Sequence, residues 1–205
     1  MLLLAAQAAC RGQPLSSNVR PHRMPRFAVL LRGVNVGKAN RLPMAAFKAL
    51  LIRLGYTDVA TLLNSGNAAF TSPGGSAVNH ANQIAAALTE TVGLKVSVVV
   101  KSSDELAAAV AGNPFTVPEA DHSKFLVAFA NDRAALQALD GLQAVIEPPE
   151  RLVVGREAAY LYCARGILDS QAGKALLGKV GQSVTTRNWA TTLKLLALCG
   201  PQVAE

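Results

Sequence analysis

Five side chains of the kind that recognise anions crowd into ten residues of this chain: Arg32, Asn35, Lys38, Asn40 and Arg41, punctuated by Gly33 and Gly37. A guanidinium offers a planar fork to two oxygens, an ammonium a mobile point charge, and an amide both a donor and an acceptor. The glycines let the backbone turn tightly or come close to a partner. A nucleotide-hydrolysing P-loop needs four residues between its glycines and a Ser or Thr after the Lys. Here three residues separate the glycines and Ala39 follows Lys38, so the sequence argues against that chemistry. The competing reading is a solvated surface loop.

Two further stretches carry donors in similar company. Asn64-Ser65-Gly66-Asn67 reads as a tight turn, in which Asn either reaches a ligand or simply tolerates left-handed backbone. Thr185-Thr186-Arg187-Asn188-Trp189 reads as the start of a helix, with Thr186 as its N-cap and Arg187 and Asn188 beside the positive end of the dipole. Trp189, Leu193 and Leu196 recur at helical spacing, which marks Trp189 as core. The candidate ligand-binding residues are therefore Arg32, Asn35, Lys38, Asn64, Ser65, Asn67, Thr186, Arg187 and Asn188. Catalytic residues stay unassigned, because no nucleophile elbow, H-E-x-x-H motif or dinucleotide fingerprint occurs. The three cysteines (10, 163 and 199) and three histidines (22, 80 and 122) are scattered. Their spacing implies no metal, no cofactor and no disulfide framework, and it suits a reducing cytoplasm.

With 205 residues, 51% of them hydrophobic, the chain can bury a sizeable core. Its net charge of +7 includes Arg11, Arg20 and Arg23 in an acid-free leader, which leaves a mild +4 for the remainder. Aromatic residues make up 5% and form no stacking run, so nucleic-acid readout is disfavoured while attraction to anions persists. The apolar stretch 1–10 is too short to span a membrane and lacks a positive start, so residues 1–23 are expected to be a disordered extension.

The elements that must position the donors follow in order. Residues 27–31 form an apolar run of strand length, and residues 44–54 carry a helical apolar stripe. Residues 59–63 and 68–71 flank the Asn64 turn as a hairpin. A helix through Ala81, Ile84, Leu88 and Val92 then precedes a strand at 96–100. This β-α-β-β-α-β order is ferredoxin-like, and it brings the 32–41 loop and the 64–67 turn to one end of the sheet. Ser102 and Glu105 form a capping box for a connector helix. A strand at 124–130, a capped helix at 131–140, a hairpin at 151–154 and 159–163, a short helix at 170–177 and a final helix echo the first half. The expected class is α+β: two ferredoxin-like halves in tandem with a C-terminal helix. The expected divisions are a leader at 1–23, a first half at 24–101, a connector at 102–121 and a second half at 122–199.

The stretches Ala28-Val29-Leu30-Leu31-Arg32-Gly33-Val34-Asn35-Val36-Gly37, Asn64-Ser65-Gly66-Asn67, Asn113-Pro114-Phe115 and Thr185-Thr186-Arg187-Asn188-Trp189 together resemble the bacterial family catalogued as domain of unknown function 1697. The resemblance implies a duplicated α+β fold and no established activity. The chain departs from the family pattern at Asp169 and Gln171, which stand on either side of Ser170 where relatives tend to carry Arg and Lys. Ser170 is accordingly set aside as a site residue.

The functional expectation is binding of an anionic, phosphate-bearing small molecule between the 32–41 loop and the 185–188 segment. The alternatives are an enzyme acting on such a molecule, with Lys38 or Arg187 stabilising developing charge, and an adaptor for protein or RNA. No membrane association is expected, and the oligomeric state is open.

Overall fold

The computed structural model describes residues 24–37 and 40–200; the expectation for residues 1–23 and the position of Lys38 fall outside them. The protein is a mixed α+β structure with two four-stranded antiparallel sheets. The first contains β1 (Arg26–Leu31), β2 (Thr57–Leu62), β3 (Asn67–Thr71) and β4 (Val98–Ser102), in the order β2-β3-β1-β4. Its helices are α1 (Met44–Arg53) and α2 (Ala77–Val92). All six residues of β1 are buried, which explains its unbroken apolar run: both faces are covered. Phe27, Val29 and Leu31 pack against α1 and α2, while Ala28 and Leu30 face the opposite side.

The second sheet contains β5 (Phe125–Phe129), β6 (Arg151–Val154), β7 (Ala159–Tyr162) and β8 (Thr185–Asn188), in the order β6-β7-β5-β8. Phe125, Val127 and Phe129 share a core with Ala28, Leu30, Ala69 and Val99 of the first sheet. That shared core also takes Leu106 and Ala109 from α3 (Ser103–Ala111), and Trp189 and Leu195 from α6 (Trp189–Cys199). On the outer side, Leu126 and Ala128 pack with α4 (Arg133–Gln137), a 3-10 helix over Ala138–Val145, and α5 (Gln171–Leu177).

Two expectations need correction. Thr185–Asn188 is a strand paired with β5, not the first turn of a helix, and Asn188 rather than Thr186 caps α6 by accepting from Thr191 N at 2.9 Å. The alternation gives the reason: Thr185 and Arg187 are buried, Thr186 and Asn188 half-buried, the period of a strand. The helix read over 131–140 begins only at Arg133, capped by Asp132, and tightens into the 3-10 helix. Asn131 is spent elsewhere, since its amide donates to Val98 O at 2.8 Å and accepts from Val100 N at 3.1 Å on the open edge of β4. A 3-10 helix over Glu119–Lys124 leads from the connector into β5. With β8 restored, each half runs strand, helix, strand, strand, helix, strand and then a helix, α3 in one and α6 in the other.

Candidate functional site

β1 delivers its carboxyl end into the 32–41 loop, and the turn between β2 and β3 rises beside it. Leu31 N donates to Gly66 O at 2.8 Å. Gly66 sits at φ +72, and a Cβ there would stand 2.5 Å from Val34 Cγ2, so only glycine permits this approach. Asn35 ties the two segments together. Its Nδ2 donates to Asn64 O at 2.7 Å and to Leu42 O at 2.8 Å, while its Oδ1 accepts from Leu42 N at 2.8 Å. Asn40 closes the loop from the other side by donating to Gly33 O at 3.2 Å.

The backbone of this loop alternates. Gly33, Asn35 and Gly37 have φ of +66, +56 and +63, whereas Val34 and Val36 do not take positive φ. Alternating left-handed residues are the pattern from which anion nests are built, and in the middle of this run Asn35 N donates to Asn40 O at 3.0 Å, which closes the loop. The N–H groups of Gly33, Val34, Val36 and Gly37 donate to no acceptor among the described residues. Asn40 and, in the neighbouring turn, Leu63 are also left-handed, at +51 and +57. Two loops thus hold three of the four positive-φ non-glycine residues described, a concentration of strain typical of functional loops.

Arg187 is the pin beneath them. Its guanidinium is almost wholly buried and makes five hydrogen bonds. They run to Asn67 Oδ1, Thr185 Oγ1 (2.9 Å), Thr186 O (2.7 Å), Leu31 O (2.8 Å) and Ser65 O (3.2 Å). All five N–H groups are used, so Arg187 has none to give a ligand. None of its acceptors is a carboxylate, and burial pulls its pKa down to about 10. The sequence supplies no neighbour to neutralise it: residues 24–57, 59–89 and 170–204 contain no Asp or Glu. Asn67, fully buried, adds donation to Leu62 O and Ser65 Oγ, which fixes the turn.

Arg32 performs a parallel task. It donates to Val184 O at 2.9 Å and to Leu177 O and Gly178 O at the end of α5, at 2.7 and 3.1 Å, where a helix C-terminus favours a cation. Burial lowers its pKa too.

A cleft of about 450 Å³ opens above this base, lined by Asn35, Gly37, Arg41, Leu42, Pro43, Met44 and Asn64. Of the residues expected to bind a ligand, Asn35 and Asn64 line it. Arg32, Ser65, Asn67 and Arg187 lie behind it as its scaffold. Thr186 and Asn188 stand away from it, the first in the β5–β8 ladder and the second on α6. Arg41, exposed and with no hydrogen-bond partner among the described residues, also lines the cleft and belongs with the candidates, being part of the same run of donors. Among the described residues no group of three His, Cys, Asp or Glu converges as metal ligands, and no helix is long and apolar enough to cross a membrane. Cys163 and Cys199 are buried, and burial pushes both thiols up to about 11, far from the reactive range.

Residues 24–160 match the family described as Protein of unknown function (DUF1697). No protein of curated function matches. A solved structure of a conserved bacterial protein from Streptococcus pneumoniae shares the fold, with a TM-score of 0.71 and 23% identity. The alignment covers 87% of this chain and 100% of that one.

Proposed function

The chain belongs to the DUF1697 family, and we propose that it binds a small phosphate-bearing anion in the cleft between the 32–41 loop and the Asn64 turn. The observation that carries this reading is the alternating backbone at Gly33, Asn35 and Gly37, which brings Gly37, whose N–H meets no acceptor among the described residues, into the cleft beside the exposed Arg41. Backbone N–H groups at a nest and a mobile cation are complementary to phosphate oxygens. The buried, carboxylate-free Arg187 adds a positive field from below, which low-dielectric surroundings preserve. Lys38, next to Gly37 in sequence, extends the same charge. On this reading Arg32, Ser65, Asn67 and Arg187 position the loops and do not touch the ligand. Each half is read as a ferredoxin-like unit from its strand order, with divisions at 24–101, 102–121 and 122–199. Two buried free thiols suit a reducing cytoplasm.

The test is a thermal-shift and calorimetric screen of inorganic phosphate, pyrophosphate, nucleotides, sugar phosphates and short RNA at two salt concentrations. A small phosphate-bearing anion should stabilise the protein, and Arg41→Ala should weaken it by about tenfold or more. Gly37→Ala should act likewise, because a side chain at φ +63 strains the loop although its Cβ meets open space. Stabilisation by RNA alone, with a steep salt slope, would replace this reading with nucleic-acid binding.

A further inference from the structure

A larger cavity, about 690 Å³, lies at the opposite end of β1, ~17 Å from the cleft by strand rise. We infer that it binds a small zwitterion of amino-acid type, with its carboxylate on Arg26 and its ammonium on Asp58 and Asp104.

The charges make the case. Arg26 is nine-tenths buried, and two hydrogen bonds fix its guanidinium in the wall: Nε donates to Leu198 O at 3.0 Å and Nη1 to Thr71 Oγ1 at 3.3 Å. Its Nη2 meets no acceptor among the described residues, and Arg26 lines the cavity. Asp58 and Asp104 line the same space from β2 and from the first turn of α3. Neither forms an ion pair with Arg26 or with any other cation among the described residues. A buried guanidinium and two exposed carboxylates therefore line one concavity without pairing with each other. An anion alone would satisfy Arg26 but face two carboxylates; a cation alone would leave Arg26 uncompensated. A molecule carrying both signs a few bonds apart satisfies both walls. The volume falls within the usual range for small-ligand sites. Asp58 is delivered by an irregularity in the β2–β3 register between Thr57 and Ala60, a device that re-aims a side chain.

Asp58 also supplies a clean variant. It is exposed and left-handed at φ 48, a conformation Asn adopts readily, so Asp58→Asn removes charge and leaves the fold intact. The experiment titrates the full chain calorimetrically with a panel of free amino acids, together with their N-acetyl and amide derivatives. At least one free amino acid should bind, its N-acetyl and amide forms should each bind about tenfold more weakly or worse, and D58N should lose about as much. Phosphate binding by D58N should match the wild type, which separates this site from the cleft above. The inference is overturned if no free amino acid binds, if blocking either charged group leaves affinity unchanged, or if D58N and D104N both bind as the wild type does.

Discussion

A guanidinium that spends all five donors on uncharged oxygens decides what residue 187 is for. Had a carboxylate been among its partners, the pair would be locally neutral; as it stands, the charge is dispersed over Leu31, Ser65 and Thr186 carbonyls and the side chains of Asn67 and Thr185. Lysine keeps the charge but offers three donors, so Arg187→Lys leaves at least two buried acceptors unmet. The expected loss is about 2–4 kcal/mol, or roughly 5–15 °C of melting temperature in a chain of this size. An unchanged thermal or urea transition would show that the five bonds do not hold the loops. His80 is the residue-scale counterpart with one bond too few. Tyr56 OH donates to Gln83 Oε1 at 3.0 Å, so its oxygen accepts a hydrogen bond from His80 Nδ1–H at 2.9 Å, and Nε2 is left buried with no partner. Phe27, Tyr56 and Phe70 box the ring. Burial lowers its pKa below the ordinary 6.5. The unfolded chain therefore takes up this proton first, so the stability His80 contributes is complete above about pH 6.5 and is lost as pH falls toward its folded pKa, by up to about 1.4 kcal/mol per unit. Urea titrations between pH 5 and 7 should show a shallower slope in His80→Gln; equal slopes would remove the buried imidazole from the account.

At the scale of elements, local chemistry was readable and docking was not. The α3 capping box needed only Ser102 and Glu105, three residues apart, and it forms as read: Ser102 Oγ accepts from Glu105 N at 3.2 Å and Glu105 Oε2 from Ser102 N at 2.7 Å. The unbroken apolar run of β1 announced a strand covered on both faces. β8 had no such mark. Thr-Thr-Arg-Asn suits a helix start as well as an edge strand, and only its ladder with β5 buries Thr185 and Arg187. The same ambiguity blurred the candidate site, because the role of Arg187 depends on where β8 docks, whereas the 32–41 and 64–67 loops carried their Gly and Asn punctuation openly. Asn131 shows docking chemistry at its plainest. Its single amide takes the place of a neighbouring strand on the free edge of β4. Asn131→Ala should cost about 1–2 kcal/mol and speed hydrogen exchange at the Val100 amide well beyond the average over the first sheet. Uniform exchange across β4 and β1 in that variant would mean that the edge is protected by something else.

Over the whole molecule, the two halves are joined by one core, by Asn131 on the β4 edge, by Tyr160 OH on Ala109 O, and by three arginines. Ala28, Leu30, Ala69 and Val99 of the first sheet share a buried cluster with Phe125, Val127, Phe129 and Trp189 of the second half. Arg26 reaches Leu198 O, Arg32 reaches Val184 O and the end of α5, and Arg187 returns the contact to Leu31 O and Ser65 O. Each half repeats the same element order, yet neither can cover its inner face with its own residues. α3 brings only Leu106 and Ala109 as fully buried apolar side chains to that layer, and the rest comes from across the interface. Sequence periodicity marks two halves; the shared layer makes them interdependent. Residues 24–121 expressed alone should therefore bind a hydrophobic dye, self-associate and melt without a cooperative transition, because a sheet face that ought to be buried lies open to water. Mixing in residues 122–205 should restore a sharp transition, with the arginine bonds and the common core re-formed. A monomeric 24–121 fragment that melts cooperatively within a few degrees of the full chain would refute this, and would assign the first sheet a stability of its own that owes little to the layer it shares.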